Sequence, residues 1–224
     1  MIRRLFFPGL LDTGPACGPV RAIRDGFMNL YVLKAAAGLV CFDAGWRTAM
    51  VARGFEALGL NPQDVVAVFL THLHWDHARS ARLFRNAEVF VGKHEIPAEI
   101  PKWLKPVRRL TGVTEGQILT VAGISVRVFE TPGHTSGSVS YLAGDRFLFC
   151  GDVIRLRQGE VSPFPFWFNR DSRALAQSVR KLAGLNGIEG LLTAHTGFTA
   201  DPAHAFRRWR ELAADRLQQE EGRA

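Results

Sequence analysis

The stretch Thr71-His72-Leu73-His74-Trp75-Asp76-His77 places three imidazoles and one carboxylate within seven residues, directly after the apolar run Val65 to Leu70. Imidazole nitrogen and carboxylate oxygen are the donors that hold zinc, and a catalytic zinc keeps one position open for water. Residues i and i+2 of an extended segment face the same side. His72 and His74 can therefore chelate one ion, while Asp76 and His77, past the bend, reach toward a second. Polar capping of a strand end would account for one histidine in a loop, but not for three histidines and an aspartate at this spacing.

Working outward, the remaining candidate ligands stand singly, each after a strand-like apolar run and beside glycine or a small residue. His134 lies in Thr131-Pro132-Gly133-His134-Thr135 after the β-branched run Ile124 to Phe129. Asp152 follows Phe147-Leu148-Phe149-Cys150-Gly151, and His195 follows Leu191-Leu192-Thr193-Ala194. Glycine beside a ligand lets the backbone turn sharply and come close to an ion.

With Asp43 ending an early strand, then the histidine motif, then Thr131 to Thr135, then Gly151-Asp152 and finally Ala194-His195-Thr196-Gly197, the chain resembles the metallo-β-lactamase-fold superfamily of metallohydrolases. Within it the full ligand set resembles the glyoxalase II-like dinuclear branch. The resemblance implies an α/β fold, an αββα sandwich of two mixed β-sheets flanked by helices. It implies that His72, His74 and His134 bind one metal, that Asp76, His77 and His195 bind a second, and that Asp152 bridges them. Asp43 would orient the ligand loop, support that metal sites generally need; from the residues alone, a turn former at a strand end is an equal reading.

The implied activity is that of a binuclear zinc-dependent hydrolase cleaving an ester-like bond (ester, thioester or lactone) with a metal-bridging hydroxide. The implied cofactor is two zinc ions, with iron or manganese as other loads. Asp76 is the candidate proton shuttle, and a purely ligating role is its other reading. Zinc β-lactamases generally lack the bridging aspartate, which argues against β-lactam hydrolysis. The main alternative is an iron-dependent persulfide dioxygenase of the same fold, which uses a single iron and fewer ligands; a phosphodiesterase or nuclease is the second.

Composition sets outer limits. A chain of 224 residues with 47% hydrophobic content can bury a core as one domain over residues 1–224, and no repeat or linker divides it. The net charge of +7 is spread along the sequence, with local density only at Arg207-Arg208-Trp209-Arg210 and around Lys102 to Arg109. Solvated helix faces explain it better than a phosphate-tracking patch, so a small-molecule substrate is expected rather than nucleic acid. No apolar run reaches the roughly 18 residues of a membrane span. Cys17, Cys41 and Cys150 lack C-x-x-C spacing, so neither a disulfide framework nor a cysteine metal site is expected, and a reducing, cytoplasmic setting fits. The sequence leaves the oligomeric state open.

Hydrophobic periodicity predicts strands over Phe27 to Leu33, Gly38 to Asp43, Val65 to Leu70 and Glu88 to Val91. It predicts hairpins over Gln117 to Phe129 and Val139 to Cys150, and helices over Met50 to Leu58, Ala78 to Phe84, Arg173 to Leu185 and Ala203 to Gln219. Met1 to Leu11 reads as a first strand. His94 and His204 read as structural. Two segments are candidates to shape substrate access: Glu95 to Pro106, with three prolines, and Ser162-Pro163-Phe164-Pro165-Phe166-Trp167-Phe168. Phe164, Phe166, Trp167 and Phe168 either wall a pocket or pack their loop onto the core. Trp75, inside the motif, must lie near the metals.

Overall fold

The computed structural model describes residues 9–97, 99, 102–105, 107 and 109–213. Strands β1 (Gly14–Pro15), β2 (Val20–Asp25), β3 (Met28–Ala35), β4 (Gly38–Phe42), β5 (Val65–Leu70), β6 (Glu88–Gly92) and β7 (Leu110–Val113) form a seven-stranded sheet in chain order. Pairs from β1 to β4 are antiparallel and those from β4 to β7 parallel, so the sheet is mixed. The second sheet holds β8 (Ile118–Val121), β9 (Ile124–Glu130), β10 (Val139–Ala143), β11 (Phe147–Phe149), β14 (Gly190–Thr193) and β15 (Gly197–Thr199), in the order β15-β14-β11-β10-β9-β8. Among the described residues only β11 and β14 pair in parallel there. Between them in sequence, β12 (Ile154–Arg157) and β13 (Glu160–Pro163) make a separate hairpin.

Strand alternation generates four layers. In β4, Val40 and Phe42 face the second sheet while Leu39 and Cys41 face outward; in β5, Ala67 and Phe69 face inward while Val68 and Leu70 face outward. Successive side chains on a strand point to opposite faces, so a strand with both faces covered is apolar throughout. The inward set meets Val126, Val128, Tyr141 and Phe149 of the second sheet, with the Phe42 and Phe149 rings stacked 3.6 Å apart. Helix α1 (Thr48–Ala57) covers the outer face of the first sheet with Val51 and Phe55, and Gly54 lets it close on Ile23. Helix α3 (Ser172–Ala183) covers the second sheet with Leu175, Val179 and Leu182, spaced as one helical stripe. Asp171 caps it by accepting from the Arg173 and Ala174 amides. The expected αββα sandwich of two mixed sheets is the architecture observed.

Several elements depart from expectation. The helix expected from Ala78 begins earlier: α2 (Trp75–Ala78) is one α-turn with His74 at its N-cap, followed by a 3₁₀ turn over Arg79–Leu83. The Ser80 amide donates to the Gly45 carbonyl, which ties that turn to the β4 end. The helix expected over Ala203 to Gln219 is broken: α4 (Pro202–Ala205) ends where Phe206 turns inward and is fully buried, and helix resumes over residues 207–213. Residues 214–219 lie outside the described residues. So do residues 1–8 of the expected first strand; residues 9–11 form no strand. In the proline-rich segment, residues 98, 100, 101 and 106 are likewise outside, and its described start is the end of a 3₁₀ turn, Lys93–Glu95. Among the described residues no helix is long and apolar enough to cross a membrane.

Candidate metal centre

Five strand ends meet at one edge of the sandwich. Asp43 follows β4, His72 and His74 follow β5, His134 follows β9, Asp152 follows β11 and His195 follows β14. The carboxyl ends of strands are the usual place for ligands in α/β sheets, because loops there are free to present side chains. Two buried tyrosines brace this edge from below: Tyr141 donates to the Leu70 carbonyl at 2.9 Å and Tyr31 to the Thr193 carbonyl at 2.7 Å. Gly151 has φ of 52°, and a Cβ there would collide with the Thr71 side chain, so only glycine lets the β11 end close against the motif.

The donor atoms cluster as two outer groups, His72 with His74 and His134 and Asp76 with His77 and His195, linked by a third triad of His72, His77 and Asp152. His72 Nε2 and His134 Nε2 stand 2.9 Å and 3.0 Å from His74 Nδ1. In the other group, His195 Nε2 is 3.6 Å from Asp76 Oδ2 and 3.2 Å from Asp152 Oδ1, while His77 Nε2 is 3.7 Å and 3.4 Å from the same two atoms. Zinc bonds of about 2.0–2.2 Å set tetrahedral donors about 3.3–3.6 Å apart, so the second group matches and the first is slightly contracted. Asp152 joins them, since its Oδ2 lies 3.4 Å from His134 Nε2 while its Oδ1 faces His77 and His195. His77 Nε2 and Asp152 Oδ1 are buried with no hydrogen-bond partner among the described residues. Unpaired buried groups of this kind cost about 1–3 kcal/mol each, and a cation between them removes that cost. The donor set therefore fits a pair of divalent ions.

The outer nitrogens are held by other groups, which fixes the direction of the inner ones. His77 Nδ1 donates to Asp43 Oδ2 at 2.8 Å, and Asp43 also accepts from the Thr71 amide and hydroxyl. Asp43 sits at φ 59°, a left-handed conformation that aspartate tolerates better than most residues. His195 Nδ1 donates to the Phe27 carbonyl at 2.8 Å, and His134 Nδ1 faces Asn169 Oδ1 at 3.3 Å.

Electrostatics divides the imidazoles. Burial holds the His72, His74 and His134 pKa values below the usual histidine value, and neighbouring imidazoles push the same way. Burial also works against charge on His77, but Asp43, then Asp152 and Asp76, outweigh it and hold its pKa well above the usual value. His195 is raised likewise, against burial, chiefly by Asp152. The Asp152 carboxyl, which burial would push up, is held well below the carboxylate range by His195 and His77.

A cavity of about 310 Å³ opens over these donors, lined by Phe27, Trp75, Phe164, Phe168, Asp76, Asp152 and three of the histidines. Phe27 stacks on the His195 ring at 5.7 Å, and Trp75, 48% exposed, stands edge-on to Phe27 and Trp46. Phe164 and Phe168 thus lie in the cavity wall. Phe166 and Trp167 do not; they flank a neighbouring cavity and are 71% and 66% exposed. His94 and His204 are exposed and outside the donor groups. Cys150 is a buried core side chain whose thiol burial pushes up, as expected of a space filler.

Three contributors escaped the sequence reading: Phe27, Asn169 and Glu95. The Glu95 carboxylate accepts from the Leu73 amide at 2.8 Å, the Gly137 amide at 3.1 Å and the Thr135 hydroxyl, and so clamps the His72/His74 loop to the His134 loop. A strand-end acid after Gly92-Lys93-His94 was its only signal.

Among curated proteins, the chain is 26% identical over 150 residues to a probable metallo-hydrolase of Methanocaldococcus jannaschii, covering 66% of this chain and 65% of that protein. It is 29% identical over 124 residues to a probable polyketide biosynthesis zinc-dependent hydrolase of Bacillus velezensis, covering 54% and 52%. The chain thus spans between half and two thirds of the length of these two relatives. A hydroxyacylglutathione hydrolase of Acidiphilium cryptum is 30% identical over 191 residues, covering 75% of this chain and 74% of that one. A B3 metallo-beta-lactamase with an active-site glutamic acid superposes with a TM-score of 0.67 at 21% identity, covering 98% of this chain and 95% of that one, which shows a shared fold. The sequence profile of the metallo-beta-lactamase superfamily matches residues 23–216, a span that takes in every one of the strand ends converging on the two donor groups. By that match and that fold, the chain belongs to the metallo-beta-lactamase superfamily.

Proposed function

We propose that the chain is a metal-dependent hydrolase that holds two zinc ions and cleaves an ester-like bond, with thioesters as its foremost substrates among esters, thioesters and lactones. The observation that carries this reading is Asp152, whose two oxygens face two separate donor groups. In this reading His72, His74 and His134 hold one ion, Asp76, His77 and His195 hold the other, and Asp152 touches both. When bound, such a pair supplies a hydroxide nucleophile at neutral pH and polarises the scissile carbonyl.

The chain's own residues do the rest. Asp43 and the Phe27 carbonyl keep the Nε2 lone pairs of His77 and His195 aimed inward by accepting from their Nδ1 protons. Phe27, Trp75, Phe164 and Phe168 give the cavity apolar walls that seat an acyl or thiol group and exclude bulk water. Asp76 and Asp152 both line the cavity; with Asp152 shared between the donor groups, the proton shuttle toward the leaving group is assigned to Asp76 in this reading. The hydroxyacylglutathione hydrolase relative supports a thioester, and aromatic walls suit an acyl arm better than a phosphodiester backbone. A single-iron persulfide dioxygenase would leave the Asp76, His77 and His195 group without a role.

Zinc-loaded protein assayed on matched thioesters, esters, lactones and phosphodiesters tests the reading. Thioester hydrolysis without oxygen uptake is the expected result. Oxygen consumption with glutathione persulfide, at one iron per chain, would replace it with the dioxygenase.

A further inference from the structure

Behind Phe164 lies a second cavity of about 270 Å³, lined by Arg155, Pro163, Phe164, Pro165, Phe166, Trp167, Asn169 and Ser172. It is not an isolated surface dimple. Phe164 lines both cavities, its ring standing 5.4 Å from His134 and 5.6 Å from His195. Asn169 connects them as well: its Nδ2 donates to the Phe164 carbonyl while its Oδ1 faces His134 Nδ1. Whatever occupies the metal cavity is therefore one side chain away from the second.

Arg155 is the cation of this second cavity. It projects from β12, is half-buried, and its Nε is buried with no hydrogen-bond partner among the described residues. Among the described residues no carboxylate lies within ion-pair distance of it, whereas Arg24, Arg47, Arg109, Arg127 and Arg146 all have one. The acid nearest in sequence to this cavity's rim, Asp171, uses a carboxylate oxygen to cap α3. Beside the guanidinium stand Phe166 and Trp167, large apolar groups left in water on a turn stiffened by Pro163 and Pro165. A desolvated, unsatisfied donor next to exposed aromatic surface is the make-up of a site for an amphipathic anion: the planar guanidinium takes a carboxylate and the rings take the apolar arm.

We propose that this cavity is a binding site for an anionic group carried by the substrate, with Arg155 as its cation and Trp167 and Phe166 as its apolar flank. Resting on the hydrolase reading above, the inference narrows the substrate to an ester or thioester whose reactive carbonyl lies in the metal cavity and whose carboxylate-bearing arm passes Phe164. Cleavage is ordinary hydrolysis: water adds across the carbonyl–sulfur bond, the acid keeps the oxygen, and the thiol leaves with the proton.

Two measurements separate this inference from the reading on which it rests. The first is binding: tryptophan fluorescence of the full chain, with zinc and without, titrated with 4-phenylbutyrate and with its neutral amide. The carboxylate should bind at least roughly tenfold more tightly than the amide with or without zinc, and Arg155→Met should erase the difference, a loss of the size expected for a charge-assisted contact. Trp167→Phe should remove most of the signal while binding persists. The second is kinetic: kcat/KM on S-acetyl-3-mercaptopropionate, its longer homologues and their amides. Arg155→Met should lower kcat/KM for the acids about tenfold and leave the amides unchanged, with zinc content unaltered. Raised salt should weaken the acid preference, because the guanidinium is partly exposed. Equal binding of acid and amide by the unmodified chain, or equal losses on both substrates in Arg155→Met, overturns the inference. If no thioester of either kind is cleaved, the thioester reading fails while the binding result still decides the anion site.

Discussion

At the scale of the residue, the centre depends on side chains that touch no ion in the proposed arrangement as much as on those that would. Glu95 shows this most plainly, because one carboxylate receives donors from both ligand loops. Glu95→Ala should reduce zinc affinity by about 10–100-fold, the range found when a group that orients a metal ligand is lost. Glu95→Gln keeps one acceptor oxygen and should recover part of it. Competition against a chromophoric chelator reads both variants, and an unchanged affinity in Glu95→Ala would show that the loops hold themselves. The candidate ligands were legible because their type and spacing are unusual along the chain. Glu95, Asn169 and the Phe27 carbonyl were not, since each acts on a partner distant in sequence, and a lone acid, a lone amide or a backbone oxygen leaves no local pattern.

At the scale of the element, strands were read more faithfully than loops. Val65–Leu70 was predicted to the residue, because a parallel strand buried on both faces is continuously apolar. β2 carries no such signal, because two arginines interrupt Val20–Asp25 and mask its alternation. The motif helix starts at Trp75 rather than Ala78 because the His74 carbonyl accepts the first helical bonds, a capping event that periodicity does not register. The aromatic segment divides between two cavities, since the 3₁₀ turn Phe166–Phe168 sends Phe168 to one side and Trp167 to the other. Phe168→Ala should therefore raise KM for neutral apolar thioesters several-fold with little change in kcat or zinc content, as loss of uniform binding predicts. Steady-state kinetics beside Trp167→Ala checks it: an equal KM rise for those neutral substrates in Trp167→Ala would contradict the division.

At the scale of the whole molecule, two sheets sharing an apolar layer bring strand ends from both halves of the chain to one edge, and the site exists only when both sheets are in place. The four-layer arrangement was legible only through the family resemblance that the order of motifs carries; the pairing of β11 with β14 was not, because parallel neighbours distant in sequence leave no turn signal. The assembled charges also set how metal uptake responds to pH. Carboxylates hold the pKa values of His77 and His195 above the usual histidine value, so both keep their protons to higher pH than a free imidazole does, and in the proposed arrangement those protons leave before Nε2 binds an ion. Zinc binding should therefore release protons near neutral pH and tighten as pH rises, with the dependence lost above the raised pKa values. Titration in weak buffers with a pH indicator measures the release, and zinc uptake at pH 7 without it would contradict this charge arrangement.

In the proposed arrangement Asp152 joins two metal positions in one site. Metal content by mass spectrometry, on the purified chain after zinc loading and removal of loose ions, tests it most directly. Two zinc ions per chain are expected in the unmodified protein and in His94→Ala, and at most one in Asp152→Ala. One ion per chain in the unmodified protein, or two retained in Asp152→Ala, would contradict it.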